Sequence, residues 1–149
     1  MTKAKLYDDL IMDHIKHARN YRALDDANRK ASGSNPLCGD DLTLYIRIEG
    51  ERIEDIAFQC ACCGVSMASA SIMTEIVKGK RADDVRTLLH AFIALLNSRA
   101  DSRLQNADPL RLAILSTVNE YPIRTRCAVM PWATLEAALD DRQETVFVR

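Results

Sequence analysis

Between Leu42 and Cys62 the chain alternates apolar and polar residues in two runs, a pattern that limits the fold more than any other in the sequence. Leu42, Leu44, Ile46 and Ile48 fall on one side of the first run, and Thr43, Tyr45, Arg47 and Glu49 on the other. After Gly50-Glu51, Ile56, Phe58, Cys60 and Cys62 continue the alternation. A period of two belongs to a strand with one buried face, so the pair reads as an antiparallel hairpin whose apolar face needs a cover. Helical spacing supplies it. Tyr7, Leu10, Ile11, His14 and Ile15 form one stripe; Val85, Leu88, Leu89, Phe92, Ile93 and Leu96 form a second, opened by Asp83-Asp84. Ser66 reads as the N-cap of a helix through Val77 that Gly79 ends. Leu110 to Val118 reads as a further helix, and Pro131 as the first residue of a last helix through Leu139. Leu24 to Ser34 and Ser98 to Pro109 read as loop. The expected architecture is α+β, a small antiparallel sheet of about three strands covered by helices. One domain is expected over residues 1–149.

Charge and length narrow the function. The 20 basic and 21 acidic residues nearly cancel, and no basic run is present to track a phosphate backbone, which argues against nucleic acid as a partner. No apolar stretch approaches membrane-spanning length, and the first fifteen residues carry Asp8, Asp9 and Asp13, unlike a signal peptide. A cytoplasmic protein is expected. In a reducing compartment its five cysteines point to metal binding or thiol chemistry more than to a disulfide framework.

Three of those cysteines stand out: Cys38 in Asn35-Pro36-Leu37-Cys38-Gly39-Asp40, Cys63 before Gly64-Val65-Ser66, and Cys127 after Arg124-Thr125-Arg126. Three thiolates and one carboxylate can close a tetrahedral metal site. In an extended backbone Cys38 and Asp40 project to the same side, although the same residue types also suit a plain turn into the strand. Cys63 falls where a strand gives way to a helix N-terminus, whose unpaired amides and dipole favour a thiolate. Three thiolates, a carboxylate and a divalent ion remain net anionic, and Arg124 and Arg126 would offset that charge; a lone cysteine among surface arginines is the plainer alternative. Cys60 and Cys62 share a face with Ile56 and Phe58 and read as packed residues. Accessory ligands, a resolving thiol or a Cys62–Cys63 disulfide are their other readings. His14 reads as a hydrogen-bonded histidine at the core edge, and His17 and His90 as surface residues.

Taken in order, these segments resemble the U-type iron-sulfur cluster assembly proteins, the family of SufU, IscU and the N-terminal domain of NifU. The resemblance runs from Leu10-Ile11-Met12-Asp13-His14 through Asn35-Pro36-Leu37-Cys38-Gly39-Asp40 and Ser66-Met67-Ala68-Ser69-Ala70-Ser71-Ile72-Met73-Thr74 to Pro122-Ile123-Arg124-Thr125-Arg126-Cys127-Ala128. The chain looks most like the SufU branch. Arg126 stands where scaffold-type IscU proteins carry histidine, and Glu120-Tyr121-Pro122-Ile123-Arg124 stands where they carry a Leu-Pro-Pro-Val-Lys chaperone motif. The segment from Asp83 to Pro109 also looks like the insertion typical of SufU. The resemblance implies zinc held by Cys38, Asp40, Cys63 and Cys127. It further implies a pyridoxal-phosphate-dependent, SufS-like cysteine desulfurase as partner and Cys38 as acceptor of its persulfide sulfur, with Cys127 the runner-up. Downstream iron-sulfur assembly or acceptor proteins would take the sulfur onward, in a relay rather than a stand-alone enzyme. Iron, or a transient 2Fe-2S cluster assembled on the same ligands, defines the alternative scaffold function, and a structural zinc domain for protein binding is a third. The chain departs from the family pattern at Cys60 and Cys62, where glycines are usual, and at Gly64, where alanine is common.

Overall fold

The computed structural model describes residues 3–36, 39–98, 118, 122–142 and 144–147. In chain order the elements are α1 (Lys3–Lys16), β1 (Arg29–Asn35), β2 (Asp40–Glu49), β3 (Arg52–Ala61), α2 (Gly64–Val77), α3 (Ala82–Ser98), α4 (Pro122–Leu139) and β4 (Val146–Phe147). The described strands form a mixed sheet of order β3-β2-β1-β4. The β2–β3 hairpin follows from its alternation: Leu42, Leu44 and Ile46 are buried on one face, while Gly50 takes a left-handed φ of 61° in the two-residue turn between Glu49 and Arg52. The free edge of β3 is covered by residues 20–22, which exchange backbone hydrogen bonds with Phe58.

The sheet is larger than the hairpin pattern predicts. Arg29–Asn35, expected to be loop, is a strand antiparallel to β2, and the short β4 adds to it in parallel. The segment Lys30-Ala31-Ser32-Gly33-Ser34 lacks the bulky β-formers that mark a strand, because its buried positions lie directly beneath α4. Gly33 is the limiting case. A Cβ there would meet Thr134 Oγ1 at 2.0 Å and Thr134 Cβ at 3.3 Å.

Helix α2 packs against α1, α4 and the sheet, so Ser66 and every residue from Ala68 to Thr74 is buried. Such a helix needs small side chains for close approach and a partner for each hydroxyl. Ser69 donates to the Ala128 carbonyl at 2.7 Å and accepts from the Trp132 indole at 3.1 Å. Ser71 Oγ lies 2.7 Å from His14 Nδ1 and accepts the Arg19 backbone N–H at 2.8 Å. His14 is accordingly buried and hydrogen-bonded at the α1–α2 contact, whereas His90 is exposed and pairs with Glu136. Helix α3 lays Val85, Leu89, Phe92 and Leu96 against the core, where the Phe92 ring packs against Trp132 of α4 with centroids 4.9 Å apart and planes tilted by 55°.

The last helix begins nine residues before Pro131, at Pro122, and carries both Cys127 and Pro131 inside it. Pro122, expected to break the chain before Cys127, instead takes the first helical position, and burial of α4 carries the helix on through Pro131. The helix expected over 110–118 lies outside the described residues except for Val118, which is buried. Among the described residues no helix is long and apolar enough to cross a membrane. Gly33→Ala is expected to lower stability by about 1–3 kcal/mol, since the added methyl must displace Thr134; a urea denaturation midpoint equal to that of the unchanged protein would contradict this packing.

Candidate metal centre

Asp40, Cys63 and Cys127 converge although they are carried by three separate parts of the fold. Their ligand atoms all lie within 4.8 Å of one another. Asp40 is the first residue of β2, held opposite Asn35 by the β1–β2 register, and is buried. Gly39 precedes it with φ +70°, a left-handed conformation that glycine adopts without penalty. Cys38 lies outside the described residues.

Cys63, and not Ser66, caps α2. Its backbone is extended, and its sulfur accepts the Ser66 backbone N–H at 3.5 Å. A thiolate suits this position because the first-turn amides lack helical partners and the helix dipole favours negative charge. The Cys63 thiol is lowered from 9.0 to about 5, chiefly by a hydrogen bond from the Cys127 thiol. Burial opposes that shift, the backbone N–H and hydroxyl of Ser66 support it, and the Asp40 carboxylate opposes it. A lowered thiol pKa favours the thiolate that a divalent cation binds.

Ser66 and Asn35 orient these groups. Ser66 Oγ lies 2.9 Å from Asp40 Oδ2 and 3.1 Å from the Cys127 carbonyl oxygen, while the Cys63 backbone N–H donates to Asp40 Oδ1 at 2.8 Å. The Cys127 carbonyl is available because the residue four positions on is Pro131, which has no N–H to complete the helical bond. Asn35 is fully buried and donates from Nδ2 to Cys127 Sγ at 3.6 Å. The sequence pattern overlooked these supporting roles. Ser66 looked like a helix cap and Asn35 like part of a turn, and the spacing of Cys127 and Pro131 was the one signal that a carbonyl would need an outside donor.

Two thiol-bearing cysteines and a carboxylate, Asp40 and Cys127 buried and Cys63 half-buried, supported by further hydrogen bonds, have the donor chemistry of a zinc site with one position left to fill. Arg124 and Arg126 are exposed on the first two turns of α4. Arg124 lines a cleft of about 290 Å³ with Tyr7, Ile11, Gly64 and Val65, beside the start of α2. Gly64 is confined by α1: a Cβ would meet Ile15 Cδ1 at 2.6 Å. Cys60 is half-buried and packs against the core, as its alternation suggested, whereas Cys62 is not part of that packing. β3 ends at Ala61, and the two half-buried residues are joined to each other in a disulfide, with Cys63 outside it.

Comparison with known proteins places this geometry in a family. Residues 6–128 match the NifU-like N-terminal domain, and the chain belongs to that family. It is 34% identical to the zinc-dependent sulfurtransferase SufU of Bacillus subtilis, over 88% of this chain and 87% of that protein. It is 32% identical to the iron-sulfur cluster assembly scaffold protein IscU of Thermotoga maritima, over 90% of this chain and 92% of that one. Among solved structures it resembles a candidate iron-sulfur cluster assembly scaffold protein for the SUF system from Fervidobacterium islandicum. That likeness has a TM-score of 0.81 at 29% identity and covers 91% of this chain and 97% of that one.

Ser66→Ala is expected to weaken divalent metal binding by about 10- to 100-fold, read by competition with a chromophoric chelator. In a Pro131→Ala background the Cys127 carbonyl regains a helical partner, so the stability cost of Ser66→Ala should fall, with a coupling of about 0.5–3 kcal/mol. Strict additivity would contradict the link between Ser66 and the freed carbonyl.

Proposed function

We propose that the chain, as a single domain, is an iron-sulfur cluster assembly protein that accepts sulfane sulfur from a cysteine desulfurase at a zinc site formed by Cys38, Asp40, Cys63 and Cys127. The observation that carries this reading is the convergence of Asp40, Cys63 and Cys127 within 4.8 Å from three separate parts of the fold. Cys38 completes the set by its place two residues before Asp40. Zinc, when bound, keeps thiolates deprotonated and resistant to adventitious oxidation.

Cys38 is the acceptor in this reading. Its thiolate attacks the outer sulfur of the desulfurase persulfide, the persulfide S–S bond breaks, and the desulfurase cysteine leaves as thiolate while Cys38 carries the new persulfide. Cys127 is the less suited acceptor, since its side chain is fully buried. Asp40 contributes a hard oxygen ligand that exchanges more readily than thiolate, which suits a site that must release a cysteine. Arg124 and Arg126 balance the anionic centre, and the cleft beside Gly64 and Arg124 offers the desulfurase an entry next to Cys63. The similarity to a named scaffold over nearly its whole length supports a second reading, in which a labile 2Fe-2S cluster is assembled on the same residues and passed to acceptor proteins.

Metal analysis of anaerobically purified protein separates the two readings. The sulfur-acceptor reading predicts about one zinc per chain, held more weakly in Cys38→Ser and Asp40→Ala, together with loss of desulfurase activation in Cys38→Ser. Iron with acid-labile sulfide in place of zinc supports the scaffold, and undiminished desulfurase turnover with Cys38→Ser contradicts the acceptor role.

A further inference from the structure

Two cysteines remain outside the proposed ligand set, and both stand within three residues of Cys63. Cys60 is the penultimate residue of β3, and its backbone is fixed by Tyr21, whose hydroxyl donates to the Cys60 carbonyl at 2.9 Å and accepts the Cys60 N–H at 3.2 Å. Cys62 lies between the end of β3 and the start of α2, directly before the residue whose N–H holds Asp40. The structure joins them in a disulfide, with Cα atoms 5.4 Å apart, within the span that a disulfide bridges without backbone movement. The bridge encloses a single residue and so restrains little of the unfolded chain, which makes it a poor structural staple. Both residues are half-buried, leaving the pair within reach of solvent and reductants.

We propose that Cys60 and Cys62 form an internal dithiol reductant that converts sulfane sulfur held by a cysteine of the adjacent site into sulfide, ending as the disulfide present in the structure. The inference rests on the sulfur-acceptor reading, which supplies the persulfide. In the first step the Cys62 sulfur attacks the outer sulfur of the site persulfide, releasing the site cysteine as thiolate and leaving the persulfide on Cys62. In the second, the Cys60 sulfur attacks the Cys62 Sγ, the persulfide bond breaks, and hydrosulfide leaves as the Cys60–Cys62 bond forms. The sulfane sulfur gains two electrons, the two thiols lose two, and their protons end on the hydrosulfide and the restored site thiol. A small thiol or dithiol reductant in the surroundings resets the pair.

The test is a single turnover under anaerobic conditions. The protein is reduced, freed of reductant and given one equivalent of glutathione persulfide. Sulfide is measured alongside mass spectrometry of alkylated cysteines. The unchanged protein is expected to release about one sulfide per chain as the Cys60–Cys62 disulfide forms at the same rate. Cys62→Ser should retain sulfane sulfur on a site cysteine and Cys60→Ser should accumulate it on Cys62, each releasing sulfide at least about tenfold more slowly. Sulfane sulfur retained by the unchanged protein while Cys60 and Cys62 stay reduced would overturn this inference alone, as would undiminished release from both variants. No uptake by any site cysteine would overturn the sulfur-acceptor reading with it.

Discussion

The Ser66 hydroxyl lies between the Asp40 carboxylate on β2 and the Cys127 carbonyl on α4, while the Ser66 backbone N–H holds the Cys63 sulfur. All three described residues of the candidate metal centre are thereby tied to one turn of one helix. The contact exists only because α2 is lined with small residues that let α4 approach, and because Pro131 leaves the Cys127 carbonyl without a helical donor. A proline inside a helix ordinarily destabilises it. Here the unsatisfied carbonyl becomes the point at which α4 locks onto α2.

The electrostatics follow from the same arrangement. A helix N-terminus, a hydroxyl, a backbone amide and the buried amide of Asn35 all present donors to sulfur or carboxylate, so the cluster favours anionic ligands while its members repel one another. The hydrogen bond from the Cys127 thiol to the Cys63 sulfur relieves part of that repulsion. A divalent cation relieves more of it, which is why this donor set is better matched to a metal ion than to a pair of neutral thiols. Reduced, Cys60 and Cys62 would place a dithiol beside the residues proposed to carry sulfane sulfur.

Much of this was legible in the sequence where periodicity is strong and side chains are large. The β2–β3 hairpin, α1 and α3 follow from apolar spacing, and Asp40, Cys63 and Cys127 follow from residue chemistry together with family resemblance. β1 was not legible, because the close approach of α4 demands small residues that carry no strand signal, as Gly33 shows. The start of α4 was misplaced because proline is read locally as a first-turn residue, whereas tertiary burial and an external hydroxyl compensate for it in the interior. Cys62 was assigned to the buried face by extending a strand pattern past its end at Ala61, whereas Cys60 lies inside β3 and packs against the core. Local alternation holds no information about where the ladder stops.

The convergence of the cysteines and Asp40 on one ion is tested most directly by anaerobic cobalt substitution, because cobalt reports both its geometry and its sulfur ligands in its absorption spectrum. A single tetrahedral cobalt per chain is expected, with intense sulfur-to-cobalt charge-transfer bands that weaken in Cys38→Ser, Cys63→Ser and Cys127→Ser alike. A weak octahedral spectrum without charge-transfer bands, or bands indifferent to Cys63 and Cys127, would contradict a metal centre built by the whole fold.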